Sequence, residues 1–160
     1  MQAVIFTGIQ GCGKSTFYKT FLFRTHVRIS LDLLKTRHRE TRFLDLCLKT
    51  RSRFTVDNTN PTAGDRRKYI IPARKLGYEV ICCYFTSDLE SALKRNFSRY
   101  SKEVVPEKGL RATFRKLKPP AFEEGFDRIY LIGIEKNGQY RIENTGRSEV
   151  LPFPLFRPDK

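Results

Sequence analysis

Short apolar runs alternate with longer segments of helical spacing along most of this chain. Runs rich in β-branched and aromatic residues predict five strands, at residues 3–7, 27–30, 54–57, 79–85 and 128–132. Helical spacing predicts helices at residues 16–24, 31–52, 61–76, 87–97 and 110–117, and Asn137-Gly138 predicts a hairpin after the last strand. This alternation favours an α/β fold, with a mainly parallel sheet and helices on both of its faces.

The segment between the first strand and the first helix carries a phosphate-binding pattern. Residues 8–15 match G-x-x-x-x-G-K-[ST] at every position. Glycines let backbone N–H groups approach an anion closely, and the start of the helix adds unpaired donors. Lys14 is expected to reach the β- and γ-phosphates of ATP, and Ser15 to bind Mg²⁺. The predicted nucleotide-binding residues are Gly8, Gly11, Cys12, Gly13, Lys14, Ser15 and Thr16.

Polar side chains follow the second and third predicted strands. The carboxyl ends of parallel strands share one edge of a sheet, and ligands bind there. Asp32 follows the second strand and is predicted to be the general base that takes the proton of an attacking hydroxyl, or alternatively a helix cap. Asp57, the last residue of the third strand, is predicted to orient the water shell of Mg²⁺. Asn58 and Thr59 are predicted to contact the nucleic-acid substrate, or alternatively to form only the turn before a helix that Asn60 caps.

The charge of the chain bears on the second substrate. Lys and Arg number 31 against 17 Asp and Glu, a net charge of +14. A kinase for a small metabolite does not need this excess, so the charge suggests a nucleic acid. Nine Lys or Arg residues lie between Arg24 and Arg53, against three acids. Lys35, one helical turn past Asp32, is predicted to hold a neighbouring phosphate of that polymer.

Two arginines lie four residues apart at the end of the fourth predicted helix. Arg95 and Arg99 immediately precede a predicted loop at residues 99–109. Charge that develops on a transferred phosphoryl group is stabilised by arginines that close over it. The pattern therefore predicts an arginine-bearing lid, with ordinary solvated arginines as the alternative in so basic a chain.

Length and composition set the remaining expectations. The 160 residues predict a single domain, residues 1–160, in which about 136–160 form a hairpin and an extended tail. No apolar run approaches 18 residues and the N-terminus has no basic leader, so neither a membrane segment nor a signal peptide is expected. The four cysteines lack metal-ligand spacing, which favours reduced thiols in an intracellular protein, cytoplasmic or nuclear.

Several of these residues together resemble the 5′-kinase domain of polynucleotide kinases. The likeness rests on residues 8–16, Asp32, the run Val-Asp-Asn-Thr-Asn-Pro at 56–61, and residues 94–106 with their two arginines. It is closest to the kinase half of the animal kinase–phosphatase that repairs DNA ends, which has the same run and a later Glu-Gly-Phe, here residues 124–126. The resemblance covers about residues 3–135.

The resemblance implies a P-loop kinase that transfers the γ-phosphate of ATP, with Mg²⁺, to 5′-hydroxyl ends of DNA or RNA during end repair. It implies Lys14, Asp32, Arg95 and Arg99 as catalytic residues. This chain departs from the family at Leu31, where an arginine is frequent, and at Lys35, where the phage enzyme has an arginine that grips phosphate with two donors.

The phosphatase signature D-x-D-G-T does not occur in the chain, so a companion phosphatase or ligase is expected elsewhere. Two other functions stay open from the residues. One is a small-molecule or toxin-type P-loop kinase. The other is a nucleotide-dependent nucleic-acid-binding module without transfer activity.

Overall fold

A six-stranded sheet forms the centre of the molecule in the computed structural model, which describes residues 1–98, 104–135 and 137–146. The strands are β1 Gln2–Thr7, β2 Val27–Ile29, β3 Phe54–Val56, β4 Glu79–Phe85, β5 Arg128–Ile134 and β6 Tyr140–Asn144. Their order is β2-β3-β1-β4-β5-β6. The first five are parallel, and β6 pairs antiparallel with β5. The predicted mainly parallel sheet and the hairpin after its last parallel strand are therefore confirmed.

Helices connect the parallel strands. They are α1 Lys14–Phe17, α2 Leu31–Leu34, α3 Arg37–Lys49, α4 Ala63–Lys75, α5 Leu89–Phe97 and α6 Glu107–Lys116. A π-helical turn, Tyr18–Leu22, continues α1, and a 3₁₀ turn, Phe122–Glu124, precedes β5. The segment predicted as helical over residues 31–52 is two helices, because Lys35 between them has a positive φ of 67°. The predicted extended tail beyond residue 146 lies outside the described residues.

Two hydrophobic clusters cover the two faces of the sheet. Along β1, Ala3 and Ile5 pack with residues of α3 and α4, whereas Val4 and Phe6 pack with residues of α1 and α5. Successive side chains of a strand point to opposite faces, so one apolar strand serves both clusters. Phe6 contacts the rings of Phe17 and Phe85 edge to face at centroid distances of 5.9 and 5.0 Å. This packing holds the sheet directly beneath the first helix.

The start of α4 differs from its prediction. Thr62 is the N-cap, and its side chain forms a reciprocal capping box with Asp65. Asn60 is not the cap: it is buried, has a positive φ of 42°, and donates its Nδ2 to the carbonyl of Phe6 at 2.8 Å. The prediction was wrong because this asparagine instead joins the loop after β3 to strand β1, which is distant in sequence.

A buried arginine fixes the chain that follows β3. Arg66 of α4 is fully buried and donates two hydrogen bonds to Glu124, at 2.7 and 2.6 Å. It also donates to the carbonyls of Asn60 and Lys118, at 3.2 and 3.0 Å. A buried guanidinium is tolerated only when its donors are satisfied in this way. The network therefore ties the Asn-Pro segment after β3 to the 3₁₀ turn, where the Glu-Gly-Phe run lies.

Candidate active site

The phosphate loop, residues 8–15, follows β1 and is closely packed on its outer side. Gly8, Gly11 and Gly13 have positive φ values of 154°, 77° and 92°. A Cβ atom on Gly11 would lie 2.4 Å from the carbonyl oxygen of Ala92 on α5, and one on Gly13 would lie 2.7 Å from Ile134. Only glycine fits these positions, so the predicted glycines are required by both conformation and space.

Side-chain donors hold the carbonyl groups of this loop. Lys14 Nζ donates to the carbonyls of Gly8 at 3.0 Å and Ile9 at 2.5 Å. Arg95 Nε donates to the carbonyl of Gly11 at 2.7 Å, and the hydroxyl of Tyr140 donates to that of Gly13 at 2.9 Å. Such contacts fix the peptide planes, and a fixed loop presents its N–H groups to an anion without a further loss of entropy.

Arg95 connects the phosphate loop to α5. Its guanidinium donates to Gly11 and also contacts Ser87 Oγ. The sequence predicts Arg95 as a lid residue, and in the structure it supports the phosphate loop. Arg99, the other predicted lid residue, lies outside the described residues, so the lid stays a prediction.

Tyr140 is a residue of the site that sequence reasoning missed. It lies on β6, and its ring packs edge to face on Phe17 at a centroid distance of 5.1 Å. Burial raises the pKa of Tyr140, which keeps its hydroxyl protonated as a donor to the loop. The hairpin signal predicted the strand, but no local pattern relates position 140 to position 13.

The predicted metal ligands lie together. Ser15 Oγ donates to Asp57 Oδ2 at 3.0 Å, and the carboxylate is almost fully buried. A hydroxyl and a carboxylate oxygen suit Mg²⁺, which takes its other ligands from water and nucleotide phosphates. No group of three or more His, Cys, Asp or Glu side chains forms a metal site within the described part of the chain. Ser15 and Asp57 thus fit a metal that arrives with a nucleotide.

Arg28 also contacts this pair, which the sequence did not predict. Its Nε and Nη2 donate to Asp57 Oδ2 at 2.9 and 2.5 Å, and Nη2 lies 3.0 Å from Ser15 Oγ. The guanidinium also lies over the ring of Tyr18, 5.4 Å from its centroid. The available sequence signal is an arginine within a short apolar strand, and charge counting does not separate it from the other arginines of the basic segment.

Asp32 is exposed on the single turn of α2, directly after β2. The N-cap position belongs to Ser30, so Asp32 is not the cap of this helix. Backbone hydrogen bonds join the three strand ends: Asp57 N donates to the Ile29 carbonyl at 2.8 Å, and Gly8 N donates to the Thr59 carbonyl at 3.0 Å. The carboxyl ends of β2, β3 and β1 therefore form one edge that carries Asp32, Asp57 and the phosphate loop.

The three predicted substrate residues have different surroundings. Lys35 is exposed between α2 and α3. Thr59 lines a cleft of about 640 Å³, together with Arg37, Thr62 and Lys116 among others. Asn58 is half-buried, and its amide is hydrogen-bonded to the protein: Oδ1 accepts from Leu31 N at 2.9 Å and Nδ2 donates to Glu40 at 2.6 Å. Asn58 thus helps to hold the start of α2, where Asp32 lies.

Residues 4–120 match a protein-family model described as an AAA domain, so the chain belongs to this family. The fold and the phosphate loop define a kinase-type P-loop phosphotransferase. The chain is also 27% identical over 132 residues to the bifunctional polynucleotide phosphatase/kinase of Schizosaccharomyces pombe, which confirms the resemblance to polynucleotide kinases. That match covers 80% of this chain and 32% of the relative, so the chain spans about a third of its length.

Solved structures share the fold at low sequence identity. A gluconokinase from Sinorhizobium meliloti 1021 has a TM-score of 0.60 and 16% identity, covering 84% of this chain and 83% of that one. Kti12 of Chaetomium thermophilum in complex with ADP-AlF3 has a TM-score of 0.64 and 13% identity, covering 85% and 92%. Within the described residues, no helix is both long and apolar enough to cross a membrane.

Proposed function

We propose that the chain is an ATP-dependent polynucleotide 5′-hydroxyl kinase. The observation that carries the proposal is the edge formed by the carboxyl ends of β2, β3 and β1. The exposed carboxylate of Asp32 and the phosphate loop both lie at this edge. The S. pombe relative is named as a polynucleotide phosphatase/kinase, and this supports the choice of substrate.

Each polar group at this edge has a task in such a reaction. The Lys14 ammonium, now on the carbonyls of Gly8 and Ile9, moves to the β- and γ-phosphate oxygens of ATP. Ser15 would bind Mg²⁺ and Asp57 would orient its water shell, and the metal would supply charge neutralisation at the phosphates. Asp32 accepts the proton of the acceptor hydroxyl while the oxygen of that hydroxyl attacks the γ-phosphorus. The bond from the γ-phosphorus to the bridging oxygen breaks, and ADP leaves with that oxygen.

The polymer contacts are proposed from charge and position. The net charge of +14 favours a polyanion, and Lys35 and Thr59 lie near the edge where the 5′ end would react. DNA or RNA with a 5′-hydroxyl end is the proposed acceptor, and a phosphatase or ligase on another chain is the proposed companion in end repair.

The proposal is tested by mixing the protein with γ-labelled ATP, Mg²⁺ and a 5′-hydroxyl oligonucleotide. The oligonucleotide should gain the mass of one phosphate, and the label should move to its 5′ end. Asp32→Asn should abolish transfer while ATP still binds, because the amide cannot take the proton. Asp45→Asn, which removes an exposed carboxylate of α3, is the control and should transfer normally.

Two results would contradict the proposal. Normal turnover by Asp32→Asn would show that Asp32 is not the general base. Failure of the wild-type chain to label any 5′-hydroxyl oligonucleotide, while it binds ATP, would remove the proposed acceptor.

A further inference from the structure

A buried carboxylate lies beside the site but outside the phosphate loop. Glu40 of α3 is 3% exposed, yet it receives donors from three directions. Asn58 Nδ2 and the Tyr69 hydroxyl donate to its Oε1 at 2.6 and 2.7 Å, and Arg37 Nη1 donates to its Oε2 at 2.8 Å. Lys68 Nζ lies 3.9 Å from the same Oε2. Burying a charge costs free energy. A buried carboxylate that is given this many donors therefore suggests a role for Glu40 other than stabilising the fold.

The other end of Asn58 leads to the proposed base. Its Oδ1 accepts the N–H of Leu31, the first residue of α2, at 2.9 Å. Asp32 is the next residue. The N-cap residue Ser30 gives this single turn no side-chain cap, and its Oγ is buried without a hydrogen-bond partner in the described structure. The side chain of Asn58, in the loop after β3, therefore caps this turn in place of Ser30.

The direction of the Asn58 amide follows from its two neighbours. An ionised carboxylate only accepts hydrogen bonds, and a backbone N–H only donates. The Asn58 amide therefore directs its Nδ2 group towards Glu40, and this orientation places Oδ1 towards the N–H of Leu31. Burial and the hydrogen bond to Glu40 also raise the pKa of Tyr69, which keeps that hydroxyl a donor to the carboxylate.

We propose that Glu40 is a positioning residue, which acts through Asn58 to set the start of α2 and thereby the place of the Asp32 carboxylate. This rests on the proposed function, in which Asp32 accepts the proton. Glu40 itself contacts neither substrate nor nucleotide in this scheme. A displacement of about 1 Å at a reacting group is enough to cost about a hundredfold in rate.

The test is a pair of single variants and their combination. Glu40→Gln places a second amide against Asn58, so the orientation of both amides is no longer fixed. Asn58→Asp places two carboxylates together in a buried site. In the combined Glu40→Gln, Asn58→Asp variant, the new amide can donate to the new carboxylate, which still accepts from Leu31 N–H. The side chain at position 40 and the N–H of Leu31 are thus connected again through position 58.

Two quantities are measured on the whole chain. The first is kcat with the oligonucleotide, and the second is the hydrogen-exchange rate of the Leu31 amide. KM for ATP is recorded beside them as a check on nucleotide binding. Each single variant should lower kcat by about tenfold to a hundredfold with KM for ATP within about twofold, and should speed Leu31 exchange by about tenfold or more. The combined variant should recover both to within about threefold.

Tyr78→Phe is the matched control for a general loss of stability. The Tyr78 hydroxyl is buried and donates to the carbonyls of Cys47 and Ser52, at 3.2 and 3.1 Å. Tyr78 and Ser52 precede β4 and β3, at the ends of these strands opposite to the site. The Tyr78→Phe variant should lower the melting temperature without changing kcat or Leu31 exchange.

The proposal is overturned if Glu40→Gln keeps wild-type kcat and Leu31 exchange, or if the combined variant recovers stability but neither quantity. If a single variant does not fold, the combined variant decides by the same two quantities. If the wild-type chain phosphorylates no oligonucleotide, the proposed function fails by itself. Leu31 exchange then still decides whether Glu40 sets the start of α2.

Discussion

The guanidinium of Arg28 lies 2.5 Å from the carboxylate of Asp57, and it also donates to the hydroxyl of Ser15. A cation of the protein thus occupies the two oxygens that are proposed to hold Mg²⁺. Since the pair of oxygens cannot hold two cations in the same place, binding of the proposed Mg²⁺ with a nucleotide would require the guanidinium to move. The Arg28–Asp57 pair is therefore expected to set how much metal the enzyme needs.

Replacement of this arginine should strengthen metal binding. Arg28→Met removes the competing cation, and Mg²⁺ affinity in the presence of ADP should rise by about tenfold, or 1.4 kcal/mol. Without metal, the variant should lose up to about 3 kcal/mol of stability, because Asp57 is left buried without its charged partner. Calorimetric titration of Mg²⁺ and thermal unfolding with and without the metal measure these effects.

Arg24→Met is the matched control, because it removes the same charge from an exposed position just before β2. It should leave both quantities unchanged. Equal metal affinity in the wild type and Arg28→Met would show that Arg28 does not compete for the site.

Two roles of Arg95, support of the phosphate loop and closure over the transferred phosphoryl group, differ in their effects on ATP affinity and on kcat. An arginine that holds the Gly11 carbonyl fixes the phosphate loop before any nucleotide binds. Arg95→Met should therefore weaken ATP binding, by about tenfold for the loss of one charge-assisted hydrogen bond. A residue that acts only as a lid over the transferred phosphoryl group would lower kcat and leave ATP affinity unchanged. Equilibrium binding of ATP and steady-state kinetics distinguish the two roles.

Acid should destabilise the fold through His26. Burial, with a smaller contribution from Arg53, lowers the pKa of His26 from 6.5 to about 4. Between these values the unfolded chain binds the proton and the folded chain does not, so stability is lost as the pH falls through this range. The shift corresponds to a loss of roughly 2 kcal/mol between pH 7 and pH 5. Urea unfolding at the two pH values measures it.

Carboxylates also contribute to acid sensitivity, so variants are compared. His26→Gln should lose less stability than the wild type between pH 7 and pH 5, whatever its stability at pH 7. His38→Gln removes an exposed imidazole of α3 and should keep the wild-type difference. An unchanged pH dependence in His26→Gln would mean that the pKa of His26 does not differ between the folded and the unfolded chain.

The parts of the structure that were predictable from sequence depend on contiguous residues. The strand β4 has the predicted bounds, and the phosphate loop follows β1 as its pattern requires, because a strand or a glycine loop is specified locally. The roles of Arg28, Asn58 and Tyr140 were not predictable in the same way. Arg28 reaches Asp57 only because β2 pairs with β3, and Tyr140 reaches Gly13 only through the pairing of β6 with β5. Such contacts depend on register between segments, which composition and spacing do not contain.

Salt dependence separates a polymer acceptor from a small one. A single strand that contacts about three phosphates should lose affinity with a log–log slope near −2, so KM for the oligonucleotide should rise roughly tenfold to twentyfold between 50 and 200 mM salt. Lys35→Met should reduce the size of this slope by about 0.7, because one phosphate contact is lost. Lys49→Met, at the far end of α3, removes an exposed lysine of the same basic segment and should leave the slope unchanged. A salt-independent KM, together with transfer to a small alcohol, would instead identify the chain as a kinase for small molecules.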